Sequence, residues 1–124
     1  MTLEQDVSAH WSDHGGQPAI AIIGAGMSGS AAVVKLRKAG YTQLTVYEKS
    51  DRVGGTWREN TYPGLSCDVP SRWYSFSFAL QHDWTHRFSH GPEIQAYMEQ
   101  VADDFDVTSA INFNTPVTHI EYLA

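Results

Sequence analysis

The stretch that most limits the fold is "PAIAIIGAGMSGSAAVVKLRKAGYTQLTVYE", residues 18–48. Its apolar run, 18–24, ends in glycine and reads as a strand buried on both faces. "SGSAAVVKLRKAGY" has alanine-rich helical composition, with Lys35, Arg37 and Lys38 in its last turns and Gly40 as the stop. "QLTVYE", 43–48, is β-branched and aromatic and predicts a second strand. Strand, helix and strand within about 30 residues form a βαβ unit with a right-handed parallel connection. The expected fold class is therefore α/β, a Rossmann-type domain of three layers.

The turn of that unit reads Gly24-Ala25-Gly26-Met27-Ser28-Gly29, a G-x-G-x-x-G pattern. Alone the pattern is weak. Here a strand precedes it, a helix follows it, and an acid, Glu48, ends the next strand. Gly24 permits the tight turn, Gly26 admits a pyrophosphate to the backbone, and Gly29 lets helix and strand pack closely. The helix start then offers unpaired N–H groups and partial positive charge to phosphates. Glu48 is expected to accept hydrogen bonds from adenosine ribose hydroxyls and to repel a 2′-phosphate. The first nucleotide is thus FAD or NAD and not NADP. A glycine turn in a non-binding sheet is the bland alternative.

The bulk numbers exclude several other classes. With 124 residues the chain holds one domain at most. Its net charge of −6 and lack of a basic stripe argue against nucleic acid and against a basic membrane-binding face. No apolar run approaches the roughly 18 residues of a membrane span. The polar start, residues 1–17, lacks a basic-then-apolar leader and reads as a mobile tail before a domain over 18–124. One cysteine, Cys67, excludes an internal disulfide and suits the cytoplasm.

Beyond Glu48 the chain reads "YEKSDRVGGTWRENTYPGLSCD", with Lys49 following the acid and a second glycine pair at 54–55. A dehydrogenase normally runs straight into its next helix here. An extended FAD needs backbone close to it for longer, so the second pair favours FAD. Residues 54–68 look like neither helix nor strand, and aromatics crowd the segment from 51 to 91. Those of 73–88 are expected mainly in core and domain packing. "PEIQAYMEQVADDF", 92–105, is an amphipathic helix with Ile94, Tyr97, Met98, Val101 and Phe105 on its core face. "INFNTPVTHIEYL", 111–123, predicts two short strands broken at Thr115-Pro116.

The words "GAGMSG", "YEKSDRVGGTW", "NTYPGLSCDVPS", "YSFSF" and "FSHGPEI" stand in an order that resembles the class B flavoprotein monooxygenases. The Baeyer–Villiger and flavin-containing monooxygenases look most similar, over roughly residues 18–123. The resemblance implies FAD contacts at Gly24, Gly26, Met27, Ser28, Gly29, Glu48, Lys49, Gly55, Thr56, Trp57 and Tyr62. It also implies that Asp68 lies near the flavin and orients an active-site arginine, making it the catalytic candidate. In that chemistry NADPH reduces FAD, O₂ adds to give a C4a-peroxyflavin, and the peroxide attacks a ketone or a soft heteroatom of an organic substrate. Arg58-Glu59 stands where many Baeyer–Villiger enzymes carry two aromatics, which leaves N- or S-oxygenation open beside ketone oxidation.

Parts of such an enzyme are not found in these residues. There is no second glycine motif for NADPH, no F-x-G-x-x-x-H-x-x-x-W fingerprint, and no assignable arginine partner for Asp68. The chain is therefore expected to be a truncated, N-terminal FAD-binding fragment that needs the remainder of the full-length protein for turnover. Two other readings remain: a stand-alone FAD- or NAD-binding module, and a piece of another two-dinucleotide flavoprotein such as an amine oxidase. No metal site is expected. His82, His86 and His90 read as loop histidines, Cys67 as a buried filler, and Asp103, Asp104 and Asp106 as a solvated face.

Overall fold

The computed structural model describes residues 16–123. The tail expected over 1–17 lies outside them except for its last two residues. Gln17 is fastened to the domain: its side chain donates to the Gly40 carbonyl at 3.1 Å and accepts from the Thr42 N–H at 3.3 Å.

Three parallel strands form the sheet, in the order β1 (Ile20–Ile23), β2 (Leu44–Tyr47), β3 (Ile111–Asn112). Ile20 stands opposite Leu44, Ile23 opposite Tyr47, and Val46 opposite Ile111. Helix α1 (Met27–Lys38) joins β1 to β2. The long connection to β3 carries a single helical turn, α2 (Thr56–Glu59), and then α3 (Gly91–Asp104). The segment expected to be neither helix nor strand thus contains one helical turn.

Both crossovers step the same way across the sheet, and right-handed connections then put α1 and α3 on one face. One cluster joins Val33 of α1 and Ala102 of α3 to Val46 and Ile111 of the sheet. Val33 and Val46 are fully buried, each contributing on the order of 2 kcal/mol by leaving water. Of the three layers expected, the described residues supply two, the sheet and one helical layer. β1 is accordingly not buried on both faces. Ile20 and Ile22 face inward, while Ala21 is exposed and Ile23 is 58% exposed.

The end of α1 is tied to the end of α3. The Arg37 guanidinium donates to the Asp106 carbonyl at 2.7 Å and to Ser109 Oγ at 3.0 Å. Asp106 itself accepts from Ser109 Oγ at 2.8 Å, so this part of the acidic run belongs to a turn. Four of the five residues expected on the core face of α3 are buried, and Phe105 is partly exposed. Tyr97, Met98 and Val101 pack against Phe76, Phe78 and Trp84, so much of the aromatic crowd is core. The Tyr97 hydroxyl accepts from the Phe76 N–H and donates to the Ala79 carbonyl, both at 2.8 Å. Burial pushes its phenol up from its ordinary value.

The second of the two strands expected over 111–123 does not form. After β3 the backbone is attached, among the described residues, through the Asn114 and Thr115 N–H groups, which donate to Ser50 and Glu48 carbonyls at 2.8 Å. Pro116 then offers no donor, and no neighbouring strand among the described residues supplies a ladder. Ile120, Tyr122 and Leu123 end up exposed.

Candidate functional site

The two glycine segments, separated by 24 positions of sequence between Gly29 and Gly54, meet backbone to backbone. The Gly54 N–H donates to the Ala25 carbonyl at 3.0 Å, and the Gly24 N–H donates to Tyr47 at 2.9 Å. At two positions a close backbone contact requires glycine. A Cβ on Gly29 would lie 1.9 Å from the Gly24 carbonyl oxygen, inside the helix–strand contact. Gly55 has φ +55°, and a Cβ there would come 3.1 Å from Gly26 Cα. Helix α1 begins just beyond Gly26 with no side-chain cap and no acid in its first turn. Its first N–H groups therefore have no intrahelical partner and point at the trough between the glycine segments.

Glu48 sits beneath this trough, 3% exposed. One carboxylate oxygen accepts from the Ala25 N–H at 2.7 Å and the other from the Ser50 N–H at 2.9 Å. Glu48 thus fixes the glycine turn in addition to facing a ligand, and each oxygen keeps a lone pair for a sugar hydroxyl. Arg58 comes over it from α2, with Nη2 3.7 Å from Glu48 Oε1, 3.2 Å from Glu59 Oε1, and a further contact to Ser50 Oγ. Lys49 Nζ lies 2.7 Å from Glu59 Oε1. The Lys49 hydrogen bond and charge hold the Glu59 carboxyl below the usual carboxylate range.

Two cavities open along the trough. One, of about 310 Å³, is lined by Glu48, Lys49, Arg58, Glu59, Pro116 and Val117 together with Ile23 and the glycines. The other, of about 360 Å³, runs past Met27, Ser28, Gly29, Thr56 and Trp57 to Tyr74. Ile23, Gly24, Gly26 and Gly55 line both, so the cavities adjoin. At the far end the Trp57 indole donates to the Tyr74 hydroxyl at 3.0 Å, with the rings edge to face at 5.7 Å.

Of the residues expected to touch a cofactor, ten line the two cavities. Tyr62 and Asp68 do not. Tyr62 is 60% exposed on the turn before Gly64, and Asp68 is exposed beyond it. Cys67, next to Asp68, is buried, with its N–H on the Ser89 carbonyl at 2.8 Å. Arg58, Glu59, Tyr74, Pro116 and Val117 are lining residues that sequence reasoning did not assign. The signal in the sequence is position: Arg58 and Glu59 follow Gly55 by three and four residues. His86 and His90 stack their rings at 4.4 Å. Among the described residues no group of three ligating side chains is placed to hold a metal ion, and no helix is long and apolar enough to cross a membrane.

Residues 22–105 match the family model described as an NAD(P)-binding Rossmann-like domain. The chain belongs to that family. Within it, the chain is 46% identical over 103 residues to a Baeyer–Villiger monooxygenase of Streptomyces coelicolor, covering 83% of this chain and 20% of that protein. It is 43% identical over 98 residues to a Baeyer–Villiger monooxygenase of Pseudomonas aeruginosa, covering 79% and 19%. Among solved structures, an ε-caprolactone-bound cyclohexanone monooxygenase superposes with a TM-score of 0.77 at 41% identity, over 83% of this chain and 21% of that one. A crystal structure of OTEMO in complex with FAD and NADP gives a TM-score of 0.79 at 33% identity, over 86% and 21%. This Rossmann-like domain therefore has flavin monooxygenases as relatives and spans about a fifth of the length of those it matches.

Proposed function

We propose that this chain forms the FAD-binding part of an NADPH- and O₂-dependent flavin monooxygenase. The observation that carries the reading is the continuous trough built by two interlocked glycine segments, with a ribose acid at one end and an aromatic pair at the other. An ADP moiety alone needs only the first segment. The second segment extends the cradle toward Trp57 and Tyr74, which suits a longer dinucleotide carrying a flat ring system.

FAD, when bound, supplies the redox and oxygen chemistry. The residues here bind and orient it. Glu48 receives the adenosine ribose, the start of α1 receives the pyrophosphate, and Gly55, Thr56 and Trp57 run beside the flavin half. Lys49 contributes to the rim of the adenosine cavity. Asp68 is assigned to orient an arginine from a part of the protein outside these residues, and Tyr62 to shape the turn that leads to it. The organic substrate, ketone or heteroatom compound, and the NADPH site belong to that same remainder. The single free thiol, Cys67, favours a cytoplasmic setting.

Two measurements test the reading. The chain titrated with FAD is expected to quench flavin fluorescence, with ADP-ribose competing for the same site. Binding of NAD without any binding of FAD would turn the assignment to a stand-alone NAD module. A chimera of the Streptomyces relative carrying this chain in place of its own matching segment is expected to oxidise NADPH in a substrate-dependent way. The chain alone, given FAD and NADPH, is expected to oxygenate neither ketone nor sulfide above a free-flavin control.

A further inference from the structure

Four charges line the adenosine cavity and form a chain: Lys49, Glu59, Arg58, Glu48. Glu59 stands between the two cations, with its Oε1 2.7 Å from Lys49 Nζ and 3.2 Å from Arg58 Nη2. Two cations beside a ribose acceptor are what a 2′-phosphate requires, since a phosphate is held by guanidinium and ammonium donors. Here each cation already faces a carboxylate. The Arg58 side chain is only 11% exposed and is anchored to Glu48 and Ser50 as well, so it is not free to swing toward a new anion.

We propose that Glu59 is a specificity-determining residue of this cavity: by pairing with Lys49 and Arg58 it withholds both cations from a 2′-phosphate. The cavity then takes adenosine nucleotides with a free 2′-hydroxyl and rejects their 2′-phosphorylated counterparts. Glu48 alone repels such a phosphate, but against an unbalanced Lys49 and Arg58 that repulsion is offset. The balance matters in a protein that must admit FAD here while NADPH is present. This proposal rests on the reading of the cavity as an adenosine site.

The test compares ADP-ribose with ADP-ribose 2′-phosphate, which differ only in that phosphate, by titration calorimetry on the whole chain. Wild type is expected to favour ADP-ribose. Glu59→Gln adds one net positive charge to the cavity and is expected to narrow that preference about fivefold, with the gain shrinking at high salt. Lys49→Met is expected to widen the preference, and the double variant to return close to wild type. Opposite signs from two neighbours, and their cancellation, do not arise from loosening of the fold. An unchanged ratio in Glu59→Gln, with ADP-ribose still bound, overturns the role of Glu59 and leaves the adenosine reading intact. Failure of wild type to bind either nucleotide overturns that reading, and the proposal with it.

Discussion

The two ends of the trough differ in how their parts are held. At the adenosine end the carboxylate is held through both oxygens: Glu48 bridges the glycine turn and Ser50, and Arg58 covers it. Past the flavin end, the loop that carries Tyr62 and Asp68 is exposed, and its backbone is attached mainly through Leu65, Cys67 and the 89–91 segment. The adenosine end is self-sufficient because its contacts come from one βαβ unit and the turn that leans on it. The Asp68 loop makes no comparable contacts with the trough. The proposed nucleotide contacts thus lie on a braced part of the chain, while Asp68, the proposed catalytic residue, stands on a loosely attached one.

The strongest way to break the adenosine end is Gly29→Ala. The added methyl would have to occupy space 1.9 Å from the Gly24 carbonyl oxygen, and that neighbour is backbone, which cannot rotate away. Helix α1 must lift from β1 or the glycine turn must open. The expected cost is about 3 kcal/mol in urea denaturation, together with loss of detectable binding of both FAD and ADP-ribose. Retention of either ligand at wild-type affinity would show that the close helix–strand contact does not shape the site.

A smaller change separates the two ends. Tyr74→Phe removes the partner of the Trp57 indole N–H and nothing at Glu48. The expected loss is about 1 kcal/mol of stability, with a shift in tryptophan emission. FAD affinity is expected to fall while ADP-ribose affinity stays unchanged. Equal weakening of both ligands would mean that Tyr74 supports the whole trough and not its flavin half.

The sequence showed these regions unequally, for physical reasons. Gly24, Gly26, Gly29 and Glu48 were readable because strand, turn, helix and acid are local and their spacing is dictated by the βαβ unit. Arg58 and Glu59 stand out in the sequence as a departure from the aromatics of many Baeyer–Villiger enzymes, with nothing local to show that they line a cavity. Their place over Glu48 depends on the Gly54 to Ala25 hydrogen bond, a tertiary contact. Tyr74 meets Trp57 across 17 positions, and Pro116 and Val117 reach the cavity through the register of β3, which no local pattern encodes. The apolar run of β1 suggested burial on both faces because composition reports what a face can bury against, not whether a layer is there to cover it. For the same reason 117–123 has strand-forming residues yet pairs with nothing among the described residues.

The smallest expected effect belongs to Asp68→Asn. The carboxylate is exposed, lines neither cavity and has no hydrogen-bond partner among the described residues. An exposed side chain without such partners contributes little, so stability is expected to change by less than about 0.5 kcal/mol. FAD affinity of the chain is expected to stay within about twofold of wild type. In the chimera with the Streptomyces relative the same substitution is expected to cut substrate oxygenation while FAD remains bound, because there the arginine that Asp68 is proposed to orient is supplied. That pairing of outcomes separates a residue which shapes this domain from one which acts through a neighbour. A large loss of stability in the isolated chain would instead make Asp68 a structural residue of the loop, and the contrast between the two ends of the trough would then be one of degree.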